Sequence, residues 1–479
     1  MIQEKAYYLS LFGVDEAMLR SLVSEALGRG GNYSDLYFEN TTYGNLLLRD
    51  GAVQSGGEHV DYGVGIRVLD GEKTGYAYSE STSAPDMKAC AKAASAIASG
   101  VVTCPSDRPA RAPFRGEPNP AADRYPVQQS WRERSMESFL PFMRSVDEEI
   151  RRRDTRVAKV VVMLSFQMTD LLMYNSLDEL KWETRPMGSV NVSVVFQSGS
   201  RVENNSVSRS FRSGAEMLGP GLVQELADEA VRGLDARFQA GRPKGGRMPV
   251  VMGAGASGIL LHEAMGHAFE ADFNRKGISI FADKMCRQIC PKGITIVDDG
   301  TLKANRGALN FDDEGVPGQR TAMVEDGVLT SYLHDRISAA HYGVAPTGNG
   351  RRESFRYAPI PRMRSTYMEA GNANPEDIIA DVKQGIYVSD FANGQVKIGE
   401  GDFTFYVKSG YLIENGRFTM PVKDINIIGN GPDALRDIVA VGNDLEITPL
   451  TWVCGKEQSV PVSCGIPTVL VSNLTVGGE

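Results

Sequence analysis

The segment Leu261-His262-Glu263-Ala264-Met265-Gly266-His267 places two imidazoles and a carboxylate inside an apolar, helix-prone stretch. The chain has five histidines, so two of them fall within six residues with an acid between them. Imidazole nitrogens are good zinc ligands, and a glutamate beside the first ligand can take a proton from a metal-bound water. These residue types point to metal-assisted hydrolysis. A lone His-Glu pair on a buried helix is more often a hydrogen-bonded core feature, and the second histidine is what turns the reading toward a metal.

The spacing differs from that of the common zinc-protease helix, where histidines at i and i+4 lie roughly 40° apart on one face. A separation of five puts the rings roughly 140° apart on an undistorted helix, too far round to share one ion. Gly266 precedes the second histidine, and glycine lowers the cost of leaving helical geometry. A single wide turn with i to i+5 bonding would bring the rings together. The sequence therefore predicts a local helix distortion near Gly266.

A catalytic zinc commonly has three protein donors and an open position, so a third ligand is required. Cys286 and Cys290 are spaced for one helical face, and Cys454 sits in a glycine-containing loop, Trp452-Val453-Cys454-Gly455-Lys456, that can turn a thiolate inward. His334 and His341 are further candidates, and residue types alone leave the choice open. Arg351 and Arg352 in the 347–354 loop could hold a substrate carboxylate or backbone, or simply form salt bridges beside Glu353. Asp312, Asp313 and Glu314 offer hard oxygen ligands, although acids in a turn are more often solvated. Gly253-Ala254-Gly255-Ala256-Ser257-Gly258 matches a dinucleotide-binding glycine pattern, but one helix would then serve a pyrophosphate and a metal at once. Glycines that let the metal helix lie close to a sheet are the better account.

These residues need elements to position them. A chain of 479 residues has room for two or three domains. Asp15 to Leu27 reads as an amphipathic helix stopped by Gly28, and strands are expected at 34–39, 44–49, 63–69 and 74–78, followed by a helix from Asp86 to Ser99. Six prolines between Gly100 and Pro126 mark an extended connector. A helix from about Arg134 to Arg153, adjusted at Pro141, leads to strands at 156–164, 171–174 and 189–197 and a helix from Gly221 to Gly233. The run Arg151 to Arg153 reads as a solvated helix end. Beyond residue 239 the chain is mainly β, with a helix from Pro375 capped by Asn374 and stopped by Gly385. Hairpin turns are expected at Asn393-Gly394 and Asn415-Gly416.

The fold class is α+β: an N-terminal α/β region followed by a β-rich, barrel- or sandwich-like C-terminal domain. The expected division is an N-terminal α+β domain over 1–104, a proline-rich linker over 105–126, a central α/β domain over 127–238 and a C-terminal metalloprotease domain over 239–479. The formal charge of −9 disfavours non-specific nucleic-acid binding. No run approaches the roughly 18 apolar residues of a membrane span. Six cysteines are too sparse for a disulfide framework. No secretory signal is expected near the start, and a reducing cytoplasm fits these features best.

Several blocks resemble those of the TldD/PmbA (TldD/TldE) metalloproteases, and of the TldD branch in particular. In the N-terminal region these are Tyr33-Ser34-Asp35-Leu36-Tyr37-Phe38-Glu39, Gly63-Val64-Gly65-Ile66-Arg67 and Gly71-Glu72-Lys73-Thr74-Gly75-Tyr76. More specific ones follow: Val297-Asp298-Asp299-Gly300, Asp312-Asp313-Glu314-Gly315, residues 343–354 and Leu474-Thr475-Val476-Gly477-Gly478. The resemblance implies a zinc peptidase acting on unfolded or flexible peptides, in a family also described as modulators of DNA gyrase. It maps the family's His-Glu-x-x-x-His motif onto His262, Glu263 and His267, and its cysteine ligand onto Cys454. It also implies a dimer, with a second copy or a TldE/PmbA-like paralogue. Glu457-Gln458 lacks a glycine expected between them, so the loop beyond Cys454 is expected to sit differently. The alternative is a non-catalytic binding or scaffold subunit whose metal site is structural or absent.

Overall fold

The strand expected from Ser34 runs on without a break to Arg49 in the computed structural model, which describes residues 3–97, 123–255, 257–397 and 399–478. Two short strands were expected here, yet Tyr33–Arg49 (β1) is one strand. Its polar middle keeps pairing because the side chains find partners: Thr41 Oγ1 donates to Glu39 and lies 2.9 Å from Thr169 Oγ1. Hydrophobicity lapses there while the ladder continues. Ala52–Asp70 (β2) and Lys73–Ser79 (β3) extend the sheet on one side. Val157–Asn175 (β4), Leu180–Ser198 (β5) and Arg201–Phe211 (β6) extend it on the other, giving the order β3-β2-β1-β4-β5-β6. Strands expected in two separate units thus share one sheet. The polar edge strand β6 carries too little hydrophobic signal to be read from sequence.

Parity along β1 sorts the sheet's two faces. Leu36 and Phe38 pack under the helices Lys5–Phe12 (α1), Glu16–Ala26 (α2) and Ala84–Ser95 (α3). Leu46 and Leu48, on the same parity, pack under Leu140–Arg153 (α4) and Pro220–Val231 (α5). Tyr37 faces the other way, onto Phe311 and Phe355 of the C-terminal half. Asp15 caps α2 by accepting from the Met18 amide at 2.8 Å. Pro141 sits in the first turn of α4, where its missing N–H costs nothing, so the helix proper begins at Leu140 and a short 3₁₀ turn precedes it. Met143, Val146 and Ile150 form the buried stripe of α4, each contributing about 1.5–3 kcal/mol. Its last turn is salt-bridged as well as solvated: Arg151 pairs with Asp147, and Arg152 and Arg153 pair with Glu149.

The C-terminal half is built on a closed barrel. Gly246–Met252 (β7) pairs parallel with Gln384–Val396 (β8), which pairs with Asp402–Glu414 (β9). β9 pairs with Ile425–Asn430 (β10), β10 with Val469–Gly477 (β11), and β11 returns to β7. Met252, Val388, Phe405, Ile427 and Val471 are among the side chains of its core. A second sheet includes Ile296–Asp299, Ser365–Met368 and Ser463–Ile466 side by side. The α+β class and the β-rich, barrel-like second half are therefore present as expected.

Local differences have physical causes. Asn415-Gly416 does turn a hairpin, with both residues at positive φ. Asn393-Gly394 does not: it lies inside β8, and Gly394 is needed because a Cβ there would overlap the Phe405 ring. The helix capped by Asn374 ends at Ala380, and Gly385 belongs to β8. The proline-rich connector, apart from residues 123–126, and Cys104 lie outside the described residues.

Candidate metal centre

Between β7 and the second sheet, residues 258–269 form a helical segment laid directly on strand Ser463–Ile466. A Cβ on Gly258 would come within 2.7 Å of the Gly465 nitrogen, so only glycine permits this approach. The segment starts as an α-turn and opens into a wide turn over His262–Gly266, where the His267 amide donates to the His262 carbonyl. That is the i to i+5 bond the histidine spacing requires. It brings the imidazole centroids to 5.2 Å, with planes at 79°. A Cβ on Gly266 would overlap Met363 Sδ, so the glycine lets this side chain pack against the turn.

Cys454 reaches the two rings from Val453–Lys456, one arm of a hairpin whose other arm is Gln458–Pro461. Glu457 makes the turn at positive φ, so the hairpin closes without the glycine the resemblance led us to expect. One ligating atom each from His262, His267 and Cys454 lies within 4.8 Å of the others, and all three residues are buried. The Sγ of Cys454 is 3.2 Å from His267 Nε2. Both nitrogens of His262 are buried without a hydrogen-bond partner. Two orphaned nitrogens on a buried imidazole are costly unless something binds them. Burial alone would push the Cys454 thiol up, but the neighbouring imidazoles bring it down to about 4. A nitrogen, nitrogen, sulfur donor set of this kind fits a divalent zinc-like ion.

A charged layer that sequence reading missed holds these donors. Glu270 Oε2 lies 2.9 Å from His267 Nδ1 and 2.9 Å from Lys456 Nζ. Lys456 also reaches Asp272 at 2.8 Å and the Pro361 carbonyl at 3.1 Å. Burial lowers the affinity of His267 for a proton, and the charge of Glu270 reverses this, taking the imidazole up to about 10. Fully buried Arg362 donates to the carbonyls of Cys454 (2.6 Å), Gln458 (2.7 Å) and Lys456 (3.1 Å), fixing the hairpin from one side. The signal for Glu270 was its place three residues after His267; Lys456 and Arg362 carried none without the fold.

Comparison with known proteins now adds kinship. The family described as PmbA/TldA metallopeptidase C-terminal domain matches residues 245–478, and PmbA/TldA metallopeptidase domain 1 matches residues 34–98. The metalloprotease TldD homolog of Haemophilus influenzae is 39% identical over 459 residues, 94% of each chain. The chain belongs to the TldD/PmbA metalloprotease family. Another TldD/PmbA relative, the zinc metalloprotease TldD homolog of Saccharolobus solfataricus, is 33% identical over 244 residues, 50% of this chain and 54% of that one. The fold is shared with TldE from Thermococcus kodakarensis, at a TM-score of 0.73 and 18% identity over 96% of this chain and 100% of that one. A Thermotoga maritima protein described as a candidate modulator of a DNA gyrase shares it at a TM-score of 0.75 and 22% identity, covering 97% of this chain and 100% of that one.

Glu263 opens the wide turn beside His262, partly exposed, and with burial its charge helps push the Cys464 thiol up to about 12. Cys286 is exposed at positive φ and Cys290 is buried, on no common helix. His334 is buried against Ser338, and His341 bonds Glu72 at 2.5 Å; neither joins the cluster. Gly253 and Gly255 spend their amides on the Val388 and Ile466 carbonyls, at 2.8 and 2.9 Å, as packing glycines do. Asp312, Asp313 and Glu314 are buried, contrary to the solvated turn expected. Asp312 accepts from the Glu314, Val316 and Gly350 amides, Asp313 pairs with Arg185, and Glu314 with Arg67. Arg351 and Arg352 are buried too, and neither points at the three-residue cluster through a hydrogen bond to it.

Proposed function

We propose that the chain is a zinc-dependent peptidase that hydrolyses unfolded or flexible peptides, with His262, His267 and Cys454 holding the metal and Glu263 as general base. The observation that carries this reading is the convergence of three buried donors, two of them 187 and 192 residues from Cys454 in sequence, with both His262 nitrogens otherwise unpartnered. Zinc held there supplies Lewis-acid polarisation of a carbonyl and lowers the pKa of water. Three protein donors leave a position open, as hydrolysis needs and a structural four-ligand site does not.

Glu263 takes a proton from the attacking water and delivers it to the leaving amine. Its partial exposure beside His262 gives it access to both solvent and substrate. Glu270 holds Nδ1 of His267 as the donor, which would leave the Nε2 lone pair, on the side of Cys454, for a bound ion. The wide turn holds His262 and Glu263 on consecutive positions, so ligand and base move as one rigid unit. The reading extends to a cytoplasmic dimer, with a second copy or a TldE/PmbA-like paralogue. Among the described residues no helix is long and apolar enough to cross a membrane.

Elemental analysis and cleavage of an unstructured peptide by the purified chain test the reading together. Glu263→Gln should retain the metal and lose about 10²–10⁴ in rate; Cys454→Ser should lose the metal. Full activity in Glu263→Gln overturns the base, and metal bound without any cleavage points to the scaffold alternative.

A further inference from the structure

Behind the hairpin that carries Cys454 lies a polar cavity of about 170 Å³, between the N-terminal sheet and the C-terminal half. Cys454 pairs directly with Val460, so those two side chains share one face, while Ser459 and Pro461 turn to the other and line the cavity. It is therefore separate from the three-residue cluster. Four arginines line it, Arg185, Arg212, Arg351 and Arg352, each more than nine-tenths buried.

Two of the four have their charge answered. Arg185 pairs with Glu183 and Asp313, and Arg352 reaches Asp35 at 3.5 Å. The other two have no carboxylate partner among the described residues. Arg351 is held by the carbonyls of Met363 and Pro461, the latter at 2.7 Å. Arg212 leaves Nε and Nη1 with no hydrogen-bond partner at all. The lining acids are already engaged: Asp313 with Arg185, Glu353 with the Ser459 amide at 2.6 Å, and Glu39 with Thr41 and the Phe355 amide. Burial also raises the Glu39 carboxyl to about 7, which weakens its charge near neutrality. A guanidinium does not shed its proton in a protein, so burial without a counter-charge calls for an anion. At roughly 30 Å³ per water the space holds a handful of solvent molecules, or one small carboxylate and some water.

We propose that this cavity is a binding site for a carboxylate-bearing small ligand, with Arg212 and Arg351 supplying the charge that receives it. The planar fork of a guanidinium matches the two oxygens of a carboxylate. The carboxylate comes either from a free small acid or from the C-terminus of a short peptide, and both present the same group to the same two cations.

Calorimetric titration of the full chain with succinate, against sodium chloride at equal ionic strength, tests the site without reference to hydrolysis. Succinate should bind one per chain. Arg212→Leu should weaken binding about tenfold or more, as should Gln167→Glu, which sets a competing carboxylate in the cavity wall at unchanged volume. Gln167→Glu keeps the test valid if Arg212→Leu folds poorly, and circular dichroism melts show which variants are native. A tetrapeptide that displaces succinate while its C-terminal amide does not identifies the peptide end as the source. Displacement by neither identifies a free acid. No succinate binding, or binding equal in wild type and both variants, overturns the site.

Discussion

Glu270 Oε2 receives two cationic or proton-bearing groups at the same distance, His267 Nδ1 and Lys456 Nζ, each at 2.9 Å. One carboxylate oxygen thus joins the helical arm of the site to the hairpin arm. Lys456 is two residues beyond Cys454, so the ammonium that neutralises Glu270 travels with the thiolate. Orientation of the imidazole and placement of the sulfur are consequently coupled through a single buried acid.

Lys456→Met should loosen both arms together. Removing one member of a buried charge cluster takes the ion-pair partner of Asp272 and leaves Glu270 with only His267 and Arg362 among the described residues, at a cost of about 3 kcal/mol. Metal affinity should fall about 10–100-fold, as it does when groups behind a ligand are lost. Asp272→Asn in the same chain should recover part of the stability, because one surplus charge goes with it. Chelator competition and thermal melts read the two effects. Unchanged metal affinity in Lys456→Met would remove this carboxylate-ammonium link from the account.

Gly266→Ala tests the wide turn. The added methyl would overlap Met363 Sδ, so this fully buried side chain must shift to make room. Overpacking of this kind costs about 1–3 kcal/mol. In a Met363→Ala background the same substitution should cost almost nothing, and a double-mutant cycle measures the difference. Additive losses would mean that Gly266 serves backbone geometry instead of this contact.

The reach of sequence reasoning here follows from chain distance. His262, Glu263 and His267 announce their chemistry because they are neighbours, and a spacing of five forces the i to i+5 turn that the structure contains. Cys454 stood among the candidates on its glycine-containing loop, but only resemblance chose it over Cys286 and Cys290. Arg362 and Lys456 were silent because their roles exist only once strands 453–456 and 458–461 fold back on residue 270. Asp312, Asp313 and Glu314 misled for a related reason: their solvating partners, Arg185, Arg67 and backbone amides from residue 350, lie far away in the chain. Asn393-Gly394 misled because a glycine that makes room for Phe405 looks like a glycine that turns the chain.

His334 predicts a pH dependence of stability apart from the metal. Burial holds its imidazole down, from an ordinary 6.5 to about 4. Between those values the unfolded chain binds a proton that the folded chain refuses, so stability rises with pH across the window. It is fully present above about 6.5 and falls as acid is added, by up to roughly 3 kcal/mol at pH 4. Denaturant melts of wild type and His334→Asn at pH 4, 5, 6 and 7 should give curves whose gap narrows on acidification. A constant gap would show that His334 titrates normally in the native state.

Arg362→Lys isolates geometry from charge. The guanidinium serves three carbonyls of one hairpin, those of Cys454, Lys456 and Gln458, and its Nε lies 3.7 Å from Glu270 Oε1. A lysine keeps the positive charge beside Glu270 but has no planar fork to span both arms of the hairpin. If the fork sets the sulfur position, Arg362→Lys and Arg362→Met should weaken metal binding alike, by about tenfold. In chelated protein both should also speed alkylation of the Cys454 thiol, because a released hairpin opens more readily. If charge is what matters, the lysine variant should bind metal as wild type does while the methionine variant fails. The fork predicts the first pattern, since the three carbonyl bonds at 2.6, 2.7 and 3.1 Å are all shorter than the approach to the carboxylate.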